Sequence, residues 1–339
     1  MRRLLPVFVL VIMSPLMAEL LWGSIPVTRA FALLFLIPMY GGGALLIREL
    51  ARRGGRGWGS IVLLGAAFGI VEEGLALQSF FNPTLYGAAE WGAHVLGING
   101  VYTEWAIGYH AVWSITIPIL LTDLLFPAQR NTPYLGRVGL IITGIIYVLG
   151  VVLIGFSARA AIAPGYWASP VLLGLATLTV LVLAVVALVL LPHREPESQH
   201  EGNVSSPWVA LLVSGICGFA WQFVLINLRH FLPVIVQGVF VLIPMLGVII
   251  MAVGVIWFVQ KSAQSRGWSD LHLLALASGA LVAHTVFGVW VLVSTTADRL
   301  GLSVLGLIMT VLLILFALRI RSGVNPYDSS MEETEKISY

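Results

Sequence analysis

The chain has 339 residues, of which 59% are hydrophobic and only 10% charged, with a mean hydropathy of +0.97. Ordinary soluble domains carry about 25% charged residues, so this composition excludes one and defines a multi-pass protein of the cell membrane, with lipids as its surroundings. A formal net charge of +2 is too small to imply a nucleic-acid partner, and the single Cys217 excludes an internal disulfide framework or a multi-cysteine metal site.

The first residues combine Arg2, Arg3, an apolar run and Pro15-Leu16-Met17-Ala18, which has the layout of a secretory leader. Apolar sequence continues through Leu20, Leu21 and Trp22, so 4–22 reads instead as an uncleaved first span, near the ~20 residues a bilayer crossing needs. Further runs of spanning length, bounded by Gly, Pro or charge, cover 31–51, 58–81, 104–126, 138–156, 170–191, 207–228, 232–259, 271–294 and 302–320. The expectation is an all-α, polytopic bundle of about ten spans. Basic residues test that count. With the amino terminus inside, 14 of the 18 Lys and Arg fall on the cytoplasmic side, leaving only Arg29, Arg159, Arg229 and Arg299 outside. Both termini are therefore read as cytoplasmic.

Polar composition divides the chain into a membrane half at 1–192, a cytoplasmic linker at 193–206 rich in Glu and His, a second membrane half at 207–321 and a polar tail at 322–339, expected to be disordered. The segment 82–103, with Tyr86, Trp91 and Tyr102 and no Lys or Arg, reads as an outer interfacial lid or loop. Leu36-Ile37-Pro38-Met39 recurs as Leu242-Ile243-Pro244-Met245, and Arg56-Gly57-Trp58 as Arg266-Gly267-Trp268. This spacing suggests a parallel repeat of spans one to four in spans seven to ten, set against chance recurrence of apolar tetrapeptides.

The costly feature is the third span. A carboxylate near mid-membrane costs roughly 2.5 to 3.5 kcal/mol on insertion scales, and Glu72 and Glu73 are adjacent there. Gly65, Gly69 and Glu73 recur every four residues, which points Glu73 into the bundle along a small-residue face. Glu72 is turned about 100° away on an ideal helix, toward the line of Ala76 and Ser79, so one carboxylate is free for chemistry while the other binds a neighbouring helix. His110, Ser114, Pro118 and Thr122 line one face of the fourth span, and counting from the shared outer loop places His110 at the depth of Glu73. Glu19, Gln78, Asn82 and Ser114 share that outer half as supporting groups, and His284 sits on another small-residue face between Ala280 and Gly288.

Carboxylate and imidazole suit a divalent metal such as zinc, so Glu73, His110 and His284 form a candidate ligand set, with a further glutamate as general base. Without metal the same groups suit proton relay or cation binding. Each also has a purely structural alternative: a neutral carboxyl capping a helix, an interfacial histidine, a satisfied core histidine. Arg48, Glu49 and Asp123 read as cytoplasmic interface anchors, and His94, His193, His200, His230 and His272 as loop, linker or span-end residues without a ligand role.

The Glu72-Glu73 pair followed on the next span by His110 resembles the CAAX-protease and bacteriocin-processing (CPBP) superfamily of intramembrane proteases. That family carries Glu-Glu-x-x-x-Arg, Phe-x-x-x-His and His-x-x-x-Asn. Here Leu77 stands in place of the Arg, Ala106 in place of the Phe, and Gly288 in place of the Asn after His284. The resemblance covers the third and fourth spans. It implies hydrolysis of a membrane-embedded peptide or protein, with Glu72 or Glu73 activating water and His110 stabilising the oxyanion or binding metal. The alternatives from the residues themselves are a secondary transporter or channel and a non-catalytic membrane scaffold.

Overall fold

The computed structural model describes residues 4–193 and 204–322, so most of the expected linker and nearly all of the tail lie outside the described residues. Among the described residues nine helices are long and apolar enough to cross a membrane, joined by a shorter apolar helix at the start. In chain order these are α1 (Leu5–Leu20), α2 (Val27–Arg53), α3 (Trp58–Ala76), α4 (Gly100–Leu125), α5 (Arg137–Ile162), α6 (Pro170–Leu190), α7 (Pro207–Phe231), α8 (Gly238–Ala263), α9 (Asp270–Leu292) and α10 (Thr296–Ser322). The ten-span reading therefore holds, with α1 as the short member.

Burial separates two layers. In α4, 78% of the apolar window is buried within the protein, and in α6 and α8 only 11%, which leaves their Val and Leu side chains for lipid. Helices α1, α2, α3, α4 and α9 carry most of the buried residues, and α5, α6, α8 and α10 are the more lipid-facing ones. Helix α5 packs on α2, α6 on α3, and α7 on α9. Close contact between α3 and α4 depends on missing side chains. A Cβ built on Gly65 would lie 2.9 Å from the Cα of Ala111, so only glycine admits the α4 backbone there. Ser14 on α1 donates to the Ser114 carbonyl at 2.7 Å, which ties α1 to the same helix.

The two halves do not pack alike. The α7–α9 contact is the most extensive in the fold, whereas in the first half the leading pairs are α2 with α5 and α3 with α4. Position by position, Leu36 and Ile37 are half-buried where Leu242 and Ile243 are exposed, Pro38 is half-buried where Pro244 is buried, and Met39 is fully buried where Met245 is half-buried. The recurrent tetrapeptides thus occupy different environments.

Helix α3 stops at Ala76 rather than running to residue 81. Gln78 adopts a left-handed φ of 60°, which a helix interior does not allow, and the amides of Phe81 and Asn82 turn back to its carbonyl. Beyond it the loop forms a two-stranded hairpin, β1 (His94–Val95) and β2 (Ile98–Asn99), before the Asn99 side chain caps α4 by accepting from Tyr102 N at 3.0 Å.

Candidate functional site

The site forms where two irregular helical stretches meet. Ile70–Ala76 of α3 and His110–Thr116 of α4 are both π-helical, with i→i+5 bonds such as Leu77 N to Glu72 O at 2.8 Å. Five further π-helical turns occur among the described residues, so what sets these two apart is the polar side chains they carry. Here the widened turn changes the expected geometry. On a regular helix Glu72 and Glu73 point in different directions; in the structure both reach the same imidazole. His110 Nδ1 lies 3.3 Å from Glu72 Oε2, and Nε2 lies 3.5 Å from Glu73 Oε1. Ser114, one turn on, places its Oγ 2.9 Å from Nδ1. A Cβ on Gly69 would sit 3.0 Å from His110 Cβ, so the small-residue face read from the sequence is what lets the ring in. All three side chains are buried.

Each carboxylate has further partners. Tyr102 on α4 donates to Glu73 Oε2 at 2.9 Å, and Ser79, folded back by the Gln78 turn, donates to the same oxygen. Glu72 Oε1 is 2.5 Å from the hydroxyl of Tyr40 on α2. That hydroxyl also hydrogen-bonds Glu19 at the end of α1, and Glu19 in turn accepts from the exposed Ser24 at 2.5 Å. A phenol has one proton to donate, so it satisfies only one of its two carboxyl neighbours. The single phenolic proton therefore lies between two carboxyl acceptors, Glu19 and Glu72. Hydrogen bonds thus run from Ser24 at the surface through Glu19 and Tyr40 to Glu72, whose Oε2 approaches His110 Nδ1 to 3.3 Å as an ion-pair contact without a hydrogen bond, and His110 in turn contacts Glu73.

Of the supporting residues expected from the sequence, Glu19 and Ser114 join this chain. Gln78 and Asn82 hold loops instead: Gln78 Oε1 accepts from Ala168 N at 2.9 Å, and Asn82 Oδ1 accepts from the Thr84 and Leu85 amides at 3.0 and 3.2 Å. His284 is not brought to Glu73 and His110. Its Nε2 is 3.0 Å from Tyr109 Oη, and its ring stacks at 4.9 Å from Trp22 and 5.6 Å from Trp113. Tyr109 donates its own proton to the Ala18 carbonyl, so His284 must donate through Nε2. Both nitrogens of His110 already face carboxylates or a hydroxyl, and among the described residues no three His, Cys, Asp or Glu side chains are grouped to hold a metal ion.

Two contributors escaped the sequence reading. Tyr40 is the hinge of the hydrogen-bond chain; its signal was a tyrosine followed by Gly41-Gly42-Gly43 deep inside a span. Arg159 near the end of α5 donates to the Ala76 carbonyl at 3.0 Å and so holds the end of the widened turn.

At the opposite end of the same helices lies a second polar cluster. Arg48, Glu49 and Asp123, expected to be interface anchors, are buried instead. Asp123 bridges Arg48 at 2.8 Å and Arg52 at 2.7 Å. Arg48 also donates to the carbonyls of Gln129, Arg130 and Thr132 and lies 3.3 Å from the centre of the Tyr134 ring, while Glu49 accepts from the amides of Tyr134 and Leu135 at 2.6 and 3.2 Å. These charges are buried because the α4–α5 connection folds over them and supplies its backbone as partners. Burial, chiefly, and the adjoining Asp123 raise the Tyr134 phenol above its ordinary pKa, against a smaller opposite effect of Arg48.

An all-helical, multi-pass architecture with a buried carboxylate–imidazole chain in one half defines a polytopic integral membrane protein. It belongs to an uncharacterized membrane protein family, whose model matches residues 8–326. No curated protein matches the chain, and no solved structure does.

Proposed function

We propose that the chain from Glu19 to Glu73 is a proton-exchanging centre opening to the outer side, and that the protein is a secondary transporter that couples proton binding there to solute or cation movement. The observation that carries this reading is the double use of the Tyr40 hydroxyl, which sets one phenolic proton between the Glu19 and Glu72 carboxyls. Hydroxyl, carboxyl and imidazole side chains can each give and accept a proton, the requirement for a relay, and buried ionisable groups in a bundle interior commonly mark such paths. His110 between two carboxylates is the group best suited to pass charge from one to the other.

The test is acid-driven proton uptake by proteoliposomes. Wild-type protein should take up protons, with uptake lost in Glu72→Gln and Glu19→Gln and kept in Glu104→Gln, a carboxyl outside the chain. The carbonyl stretch of a protonated carboxylic acid should be present in the infrared spectrum and move in Tyr40→Phe. Equal uptake in all variants would overturn the reading.

A second reading, an intramembrane hydrolase, is favoured by one specific observation: Glu72 and Glu73 flank His110, the pairing that the resemblance to CPBP proteases implied. In that case either glutamate would take the proton of an attacking water, and His110 would face the developing oxyanion. Cleavage of a membrane peptide by wild type and not by Glu73→Gln, without proton uptake, would favour it over the transporter.

A further inference from the structure

The outer hairpin places its most apolar residues where nothing among the described residues covers them. Val95 is 62% exposed and Leu96 88% exposed, at the tip between β1 and β2. The turn residues Leu96 and Gly97 both have positive φ, 53° and 81°, the conformation of a two-residue hairpin turn that ordinarily selects Asn, Asp or Gly. Leucine in that position sets a large apolar side chain at the extreme of the loop.

What lies beside the tip identifies its surroundings. A Cβ on Gly97 would meet Leu172 at 3.3 Å, so the turn rests on the first helical turn of α6. That helix is one of the two least buried spans, and Val171 next to the contact is 70% exposed. The outer membrane level is marked here by Trp167, 66% exposed, with the Arg159 guanidinium 4.2 Å from its ring centre, an aromatic and basic pair of the kind that sits at headgroups. The apolar tip is thus continuous with a lipid-facing helix at the height where lipid begins.

We infer that the Val95-Leu96 tip is a membrane anchor of the loop, seated among the outer-leaflet lipids beside α6. The same loop covers the site: Asn99 N donates to Phe80 O at 2.9 Å, the Asn99 side chain donates to Ala88 O, and Tyr86 stacks at 6.1 Å on Tyr102, the donor to Glu73. Lipid contact at the tip therefore holds the cover over Glu73 in place.

The experiment is a nitroxide attached to Leu96→Cys in a Cys217→Ser background, in liposomes, compared with Glu90→Cys, whose native side chain is 73% exposed. Collision with oxygen, which concentrates in the bilayer, should exceed collision with a water-soluble nickel chelate at 96, and the order should reverse at 90. A label at 96 that follows the pattern at 90 would overturn the proposal. So would dipolar broadening between labels at 96, which would seat the tip against a second copy of the chain.

Discussion

Replacing Asp123 with asparagine is the sharpest test of what holds α2 and α4 together at the end away from Glu73 and His110. In the wild type this carboxylate accepts from Arg48 at 2.8 Å, Arg52 at 2.7 Å and Tyr134 at 3.2 Å, with the three charged side chains no more than 4% exposed. The substituted amide would keep the shape and one acceptor oxygen but leave Arg52 without a counter-charge and Arg48 with only Glu49, 3.7 Å away. Removing one partner of a buried pair costs about 3–5 kcal/mol. The carbonyls of Gln129, Arg130 and Thr132 still hold Arg48, which puts the expected loss near the lower end, about 3 kcal/mol, or roughly a hundredfold in a folding equilibrium. The internal comparison is Arg130→Gln, which breaks an Arg130–Asp270 bridge of the same 2.8 Å length whose side chains are both 37% exposed. That pair should contribute about 0–1 kcal/mol. Thermal inactivation in one detergent ranks the two variants without requiring reversible unfolding. Asp123→Asn should inactivate well below Arg130→Gln, and adding Arg52→Gln should restore part of the loss because one stranded cation is removed. Equal midpoints for the two single variants, or simple addition in the double variant, would refute the reasoning.

Two other predictions concern the interface below the site and the loop over the ion cluster. Gly65→Ala forces a Cβ to within 2.9 Å of the α4 backbone, and should cost about 1–3 kcal/mol by overpacking, lower the thermal midpoint and reduce proton uptake as α3 and α4 separate around Glu73 and His110. For Tyr134 the folded pKa is raised above the ~10 of an unfolded tyrosine, so its contribution to stability is present below pH ~10 and is lost as pH rises from there toward the folded value. The stability difference between wild type and Tyr134→Phe should accordingly be constant through neutral pH and shrink above pH ~10, as followed by thermal midpoints across that range.

The spans were legible because a bilayer demands long apolar runs and the basic residues follow topology. The pairing of Glu73 with His110 was legible for a related reason: antiparallel neighbours that share a loop can be aligned by counting residues from it. What stayed hidden depended on departures from regular geometry. A π-helical turn leaves no periodic trace in Ile70–Ala76, so the meeting of Glu72 and Glu73 on one ring could not be read from a 3.6-residue period. Gln78 gave no helix-stop signal of the Gly or Pro type. The ring stack around His284 is assembled from the turn after α1, from α4 and from α9, and only tertiary packing brings Trp22, Tyr109 and Trp113 together. Arg48 and Asp123 lie at the sequence depth of an interface, and the connection that covers them is visible only once it is folded.

The widened turns have one more consequence. Each of the two facing segments accommodates extra backbone in its turn, and that surplus is a reservoir of rotation. Were Ile70–Ala76 to tighten into α geometry, Glu72 and Glu73 would swing apart around the α3 axis and His110 could retain only one of them. Both carboxylates meet one ring where two π-helical turns face each other, one on each helix, so the backbone period of either helix sets which of them His110 can reach.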